Sequence, residues 1–270
     1  MSEWTPAGPA WLFCPADRPD RYGKAAAAAD VVILDLEDAV APADKDGARR
    51  ALAGTTLDPE RTVVRVNAGD PTDDLAALKN TPYRRVMLPK AESATQVLAL
   101  RPFDVVALLE SPRGALAAAD LAAAENTIGL MWGPEDLTAA LGGSSARHAD
   151  GRFRHVHQQV RSSTLLAAKA FGRLALDTVH LDIADLDGQR AEAEDAVATG
   201  FDGTVAIHPS QVPVIRAAYA PPPEDVAWAR RVLEAARVER GVFRFEGRMV
   251  DSPVLRHAET LLRRAGTPTP

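Results

Sequence analysis

The sequence predicts an α/β fold, a (β/α)8 TIM barrel with a C-terminal helical appendage, and three observations lead there. Short runs of β-branched and aliphatic residues recur without polar alternation, as strands buried on both faces of a parallel sheet require. A stretch of helical character follows each run, and eight such alternations in about 220 residues suit a (β/α)8 barrel. Six of the runs stop abruptly at charged or polar groups. Parallel α/β folds bind ligands beyond the carboxyl ends of their strands, so this recurrence points to an enzyme site at one barrel rim.

The elements follow in order. The first strand is expected over residues 10–14 and the first helix over 20–29. Val31-Val32-Ile33-Leu34-Asp35-Leu36 forms the second strand and runs into Glu37-Asp38, with a helix over 43–53. Val63-Val64 runs into Arg65-Val66-Asn67, with a helix over 73–80, and Val86-Met87-Leu88 runs into Pro89-Lys90, with a helix over 93–100. Val105-Val106-Ala107-Leu108-Leu109 ends at Glu110 before a helix over 114–124. Ile128-Gly129-Leu130-Met131-Trp132 leads to Gly133-Pro134-Glu135-Asp136 and a long helix over 154–171. Leu174-Ala175-Leu176-Asp177 precedes a helix over 189–200, and Thr204-Val205-Ala206-Ile207 meets His208-Pro209 and a helix over 209–218. Ser93 and Asp73 suit helix N-caps, and Gly200 suits a C-cap. A doubly wound open sheet is the alternative, but no G-x-G-x-x-G follows the first strand, and Gly142-Gly143 lies in a loop without that context.

Pro221-Pro222-Pro223 breaks the chain, which assigns residues 1–220 to the barrel and 221–270 to the appendage. The appendage is expected to hold a helix over 224–240, an extended piece over 242–246 and a helix over 253–265. It looks too small for a core of its own, so it should pack on the barrel or on a neighbouring subunit.

Composition narrows the function. The 270 residues are 46% hydrophobic and 25% charged, ordinary for a soluble globule, and the net charge of −6 disfavours nucleic acid or an anionic membrane as partner. Cys14, the one cysteine, cannot form an intramolecular disulfide and fits a reducing cytoplasm. Residues 1–15 lack a basic stretch followed by a long apolar run, so no secretory signal is expected, and no run is long enough to span a membrane.

Glu110 and Asp136 are expected to end strands five and six, facing each other over the rim. Two carboxylates so placed suit a hard divalent cation such as Mg2+, or are simply solvated or salt-bridged acids. Glu37 and Asp38 are second acceptors around such a cation or caps of the next helix. Arg65 can grip a carboxylate and neutralise developing negative charge, or it makes an ion pair with Glu37 or Glu110. Lys90 can reach an anion or act as a Schiff-base nucleophile. His155 and His157 read as surface or core residues. Asp182, Asp185 and Asp187 form a solvated loop rather than a calcium site, and the four tryptophans are packing groups.

Several of these stretches are familiar together. Leu12-Phe13-Cys14-Pro15-Ala16-Asp17-Arg18-Pro19, Leu34-Asp35-Leu36-Glu37-Asp38, Arg65-Val66-Asn67 and Leu88-Pro89-Lys90-Ala91-Glu92 are four of them. Glu110-Ser111-Pro112-Arg113-Gly114, Trp132-Gly133-Pro134-Glu135-Asp136-Leu137, Ile207-His208-Pro209-Ser210-Gln211 and Gly247-Arg248-Met249-Val250-Asp251-Ser252-Pro253 complete the set. With them the chain resembles the citrate lyase β-subunit-like branch of the HpcH/HpaI aldolase/citrate lyase family, which includes malyl-CoA and citramalyl-CoA lyases. The resemblance implies Mg2+ on Glu110 and Asp136, Glu37 and Asp38 around it, and Arg65 at the substrate carboxylate or enolate. It implies a CoA thioester crossing the barrel mouth, with Arg18, Arg21 and Lys90 at the CoA phosphates and Phe13, Pro15, Gly133 and Pro134 lining the way. Asp251, otherwise a helix cap, matches an acid–base carboxylate that one subunit lends the next, commonly in a homotrimer.

The implied reaction is reversible C–C cleavage of a 3-hydroxyacyl-CoA thioester to a 2-oxoacid or acetoacetate and an acyl-CoA, through a thioester enolate. The alternatives are a citrate lyase β subunit acting on an acyl-carrier-protein thioester in a larger complex, and a non-catalytic barrel that only binds or scaffolds. The presence of Glu110, Asp136, Arg65 and Asp251 together argues against the last.

Overall fold

The structure, a computed structural model, describes residues 4–239 and 241–266. Eight parallel strands close into a barrel in sequence order. They are β1 (Ala10–Pro15), β2 (Val31–Asp35), β3 (Thr62–Arg65), β4 (Arg85–Leu88), β5 (Asp104–Leu109), β6 (Thr127–Trp132), β7 (Leu174–Asp177) and β8 (Gly203–Ala206). β8 pairs back onto β1, which shuts the ring and excludes the open sheet.

Helices fill the crossovers. α1 (Pro19–Ala28), α2 (Lys45–Ala53), α3 (Thr72–Leu78) and α4 (Ala94–Leu98) occupy the first four. Two short helices, α5 (Pro112–Leu116) and α6 (Ala118–Ala123), stand where one was expected. α7 (Pro134–Ala140) follows β6 directly and precedes α8 (His155–Ala170), and α9 (Leu186–Thr199) and α10 (Val212–Tyr219) complete the ring. Asp136 therefore lies in the first turn of α7 and not at a strand end, because Pro134 is well suited to open a helix. Ser93 closes a capping box with Gln96, and Gly200 ends α9 at a φ of 112°. Asp73 is inside α3, with Pro71 at the cap position.

All eight strands contribute to one interior cluster: Trp11, Val31, Ile33, Val63, Met87, Val106, Leu108, Met131, Leu176 and Val205. The barrel is thus a packed core and not a pore. Trp11 and Trp132 are fully buried, as packing groups should be. No described helix is long and apolar enough to cross a membrane.

The chain divides into two compact units, Met1–Arg216 and Ala217–Pro270. The second contains α11 (Pro223–Ala235), the antiparallel pair β9 (Phe243–Phe245) and β10 (Arg248–Val250), and α12 (Ser252–Arg264). Contrary to expectation it has a small core of its own, built from Ala229, Val232, Val250, Ala258, Leu261 and Leu262. The hairpin was also unforeseen. Glu246 and Gly247, at φ values of 47° and 81°, supply the left-handed turn that joins its strands.

Candidate active site

Side chains alternate along a strand, so a residue two beyond an inward-facing one also faces inward. Ile33, Val63, Leu108 and Met131 pack in the barrel interior. Two positions further on stand Asp35, Arg65, Glu110 and Gly133. The interior therefore changes from apolar to charged within one layer at the carboxyl ends of β2, β3 and β5, while β6 presents a glycine there.

Asp35 and Arg65 are register partners across β2 and β3. Arg65 donates from Nε to Asp35 Oδ1 (2.7 Å) and from Nη2 to Asp35 Oδ2 (2.6 Å), while its Nη1 lies 3.1 Å from Glu37 Oε2. Asp35 also accepts the backbone N–H groups of Glu37 and Ala39. The guanidinium lies over the Phe13 ring, 4.6 Å from its centroid. Burial works against the charge, but the bonds and charge of Asp35 outweigh it and hold the arginine above its ordinary pKa. Arg65 is thus a fixed cation with two N–H donors on Asp35. The principal partner is Asp35, which the motif contained but to which sequence reasoning gave no role.

Lys90 links the remaining acids. Its Nζ donates to Glu37 Oε1 (2.6 Å) and lies 3.5 Å from Asp38 Oδ2 and 3.6 Å from Asp136 Oδ1. Its backbone N–H donates to Glu110 Oε1 (2.9 Å). Burial alone would favour the neutral amine, yet the hydrogen bond and charge of Glu37 keep the ammonium above its usual pKa. A Schiff-base nucleophile must be neutral, so this environment argues against that reading. It also places the Lys90 ammonium among the acids of the cluster. Glu37 and Asp38 cap no helix; Asp44 stands at the cap position of α2.

Glu110 is the least satisfied of the buried acids in the cluster. Its side chain is buried, and among the described residues its one hydrogen bond comes from the Lys90 backbone. Burial first, and then the charge of Asp136, push its pKa up to about 8. Glu37 is also raised, by burial against the opposing pull of Lys90 and Arg65. A Cβ on Gly133 would come within 2.8 Å of Glu110 Oε2, so the glycine leaves the room this carboxylate occupies. Among the described residues no three Asp, Glu, His or Cys side chains form a ready-made metal cage. Two adjacent carboxylates suit a cation that keeps water and substrate oxygens as its other ligands.

The model for HpcH/HpaI aldolase/citrate lyase matches residues 10–209. The chain belongs to the HpcH/HpaI aldolase/citrate lyase family. A second model, for a C–C bond lyase of the TIM-barrel fold, matches residues 155–267. The chain is 67% identical over 266 residues to the citrate lyase subunit beta-like protein of Mycobacterium tuberculosis, covering 97% of each chain. It is 35% identical to a (3S)-malyl-CoA thioesterase of Cereibacter sphaeroides, over 89% of this chain and 88% of that one. Among solved structures it resembles CitE of Mycobacterium tuberculosis in complex with magnesium, acetoacetate and coenzyme A. That similarity is 68% in identity and 0.90 in TM-score, over 96% of this chain and 98% of that one. The HpcH/HpaI family is one of carbon–carbon lyases, and the non-catalytic reading falls away.

Pro15 ends β1, and Arg18 pairs with Asp20 at the exposed start of α1, where Arg21 also lies. Pro134 opens α7. Asp251 belongs to the second unit and caps α12, its Oδ1 accepting the Val254 N–H at 3.3 Å. His157 is buried on α8 against the Thr138 hydroxyl, and Asp185 caps α9. Neither is part of the acid cluster.

Proposed function

We propose that the chain is a Mg2+-dependent lyase acting on 3-hydroxyacyl-CoA thioesters of the citramalyl-CoA, malyl-CoA or 3-hydroxy-3-methylglutaryl-CoA type. Cleavage yields a 2-oxoacid or acetoacetate and an acyl-CoA, and condensation is the reverse. The observation that carries this reading is Glu110, buried, sparsely hydrogen-bonded and beside Asp136 at the mouth of a barrel. It is supported by similarity to a CitE structure holding magnesium, acetoacetate and coenzyme A.

Glu110 and Asp136 would hold the cation, with Gly133 leaving space for the first of them. Bound Mg2+ supplies Lewis-acid polarisation of substrate oxygens. Arg65, clamped by Asp35, offers its remaining N–H donors to the substrate carboxylate or to the enolate oxygen, where charge develops. In cleavage the C–C electron pair passes to the carbon next to the thioester, the hydroxyl loses its proton as the new carbonyl forms, and the enolate carbon gains one. Asp251 is the proposed carrier of that proton, supplied by a neighbouring subunit of a homotrimer. Arg18 and Arg21 would meet CoA phosphates, and Phe13, Pro15, Gly133 and Pro134 would line the approach.

The test incubates purified protein with acetyl-CoA or propionyl-CoA and a panel of oxoacids, and separately with malyl-CoA, with and without Mg2+, reading condensed or cleaved thioester and free thiol separately. A Mg2+-dependent C–C product supports the lyase. A second reading is hydrolysis of a malyl-CoA-type thioester, favoured by the thioesterase relative. Thiol release without net C–C change would select it, and absence of any Mg2+-dependent product would sink both.

A further inference from the structure

We propose that Lys90 is the positioning residue of the acid cluster. Its tethered ammonium holds the carboxylates of Glu37 and Asp136 together in the metal-free protein, and a divalent cation must bind against it. The inference rests on the reading of Glu110 and Asp136 as metal ligands.

Lys90 has a φ of 49°, one of two non-glycine residues in the left-handed region among those described. Lysine rarely adopts this conformation, and it persists where the surroundings over-determine it. Here they do. The next residue, Ala91, donates its N–H to Leu108 O (3.1 Å), and a Cβ on Gly114 would come within 2.3 Å of Ala91 O. The β4–α4 turn is thus pressed between β5 and α5.

That backbone shape turns the Lys90 N–H onto Glu110 while the side chain runs to the other acids. One residue therefore touches both candidate ligands, Glu110 through the main chain and Asp136 through the ammonium. The contacts of the ammonium are graded. Glu37 receives a short hydrogen bond, whereas the distances to Asp38 and Asp136 exceed hydrogen-bond length. Asp136 is attracted without being saturated, and the lysine side chain is 36% open to solvent. The ammonium stays anchored at Glu37 and opposes the charge of an arriving cation. A unit charge this close, screened by partly aqueous surroundings, changes a divalent affinity by roughly tenfold.

The experiment titrates Mg2+ calorimetrically into metal-stripped full-length protein without substrate, and melts the same samples in chelator and in Mg2+. Lys90→Gln and Lys90→Met remove the charge and should tighten Mg2+ binding by about tenfold, whereas Lys90→Arg keeps it and should stay close to wild type. The neutral variants should melt lower than wild type in chelator and gain more from Mg2+. A lysine with a purely structural role would lower the melting temperature and leave Mg2+ affinity unmoved. Unchanged or weaker Mg2+ binding by both neutral variants overturns the proposal while wild-type binding keeps the metal reading intact. Binding by the neutral variants alone supports the proposal, and absence of binding in every protein overturns it together with the metal reading.

Discussion

Two carboxylates at the barrel rim, Asp177 at the end of β7 and Glu110 just beyond β5, look alike in sequence and differ in what surrounds them. Asp177 accepts from Trp132 Nε1 (2.6 Å), from Arg161 Nε (3.1 Å) and Nη2 (2.7 Å), and from the Thr178 N–H (3.0 Å). Arg161 in turn pairs with Asp195 and lies over the Phe201 ring. That network is closed, with each charge met by its opposite and most acceptor positions taken. Glu110 has one backbone donor and a like-charged neighbour, and its pKa is displaced to about 8. A charge at a strand end is therefore not in itself a sign of function. Saturation separates the structural acid from the one with capacity left for a ligand.

The largest test of this contrast removes one partner from each side. Arg161→Met leaves Asp177 buried without its counter-ion and should cost about 3–5 kcal/mol in denaturant unfolding. It should leave Mg2+ affinity near wild type. Glu110→Gln should do the reverse, abolishing Mg2+ binding by calorimetry while leaving unfolding in chelator equal to or better than wild type. If the two variants show the same profile, saturation does not discriminate them.

Gly133→Ala is the next step down. Its Cβ would sit 2.8 Å from Glu110 Oε2 and 3.0 Å from Glu110 Cβ, so the carboxylate must move. Displacing a ligand's support commonly weakens a metal site by about 10–100-fold, and Mg2+ titration should show a loss in that range. Unaltered affinity would mean that the position of Glu110 in the metal-free protein is not the one that binds.

The proton inventory gives a smaller, graded effect. The folded-state pKa of Glu110 is above its unfolded value, so the native protein binds more protons between about pH 4.5 and 8. The sign follows: in that window the contribution of Glu110 to metal-free stability is greatest at the acid end and declines as pH rises. Chelator-treated wild type should lose stability from pH 5 to 8 relative to Glu110→Gln. Mg2+ competes with the same proton, so its affinity should rise over this range. Parallel stability curves for the two proteins would remove the pKa argument from the comparison.

The barrel was legible because buried parallel strands leave a crude signal, apolar runs at regular spacing, and because period-two alternation extends from Ile33 to Asp35 and from Leu108 to Glu110. The same alternation could have identified Asp35, since it faces inward beside Arg65 in the register of β2 and β3. Other features needed three dimensions. The left-handed backbone of Lys90 is dictated by the fit of Ala91 against Gly114, two segments separated by β5, and no local residue preference announces it. The apolar run before Asp136 suggests a strand end, but Pro134 opens a helix two residues ahead of it. The hairpin between Phe243 and Val250 is signalled within its span only by Gly247, after an extended piece that gives no sign of pairing.

Asp251 lies between the two extremes and gives the finest test. Its Oδ1 accepts the Val254 N–H and caps α12, while the hydrogen bonds of the described residues leave its Oδ2 as acceptor capacity for a proton or ligand. The structural and chemical roles of one carboxylate can therefore be separated by substitution. Asparagine caps helices about as well as aspartate, so Asp251→Asn should unfold like wild type, whereas Asp251→Ala should lose about 1 kcal/mol. If the carboxylate also moves the proton, both variants should lose turnover alike while their stabilities differ, with Mg2+ binding retained in each. Turnover that follows stability, intact in Asp251→Asn and reduced only in Asp251→Ala, would make the residue a cap and leave the proton to another group.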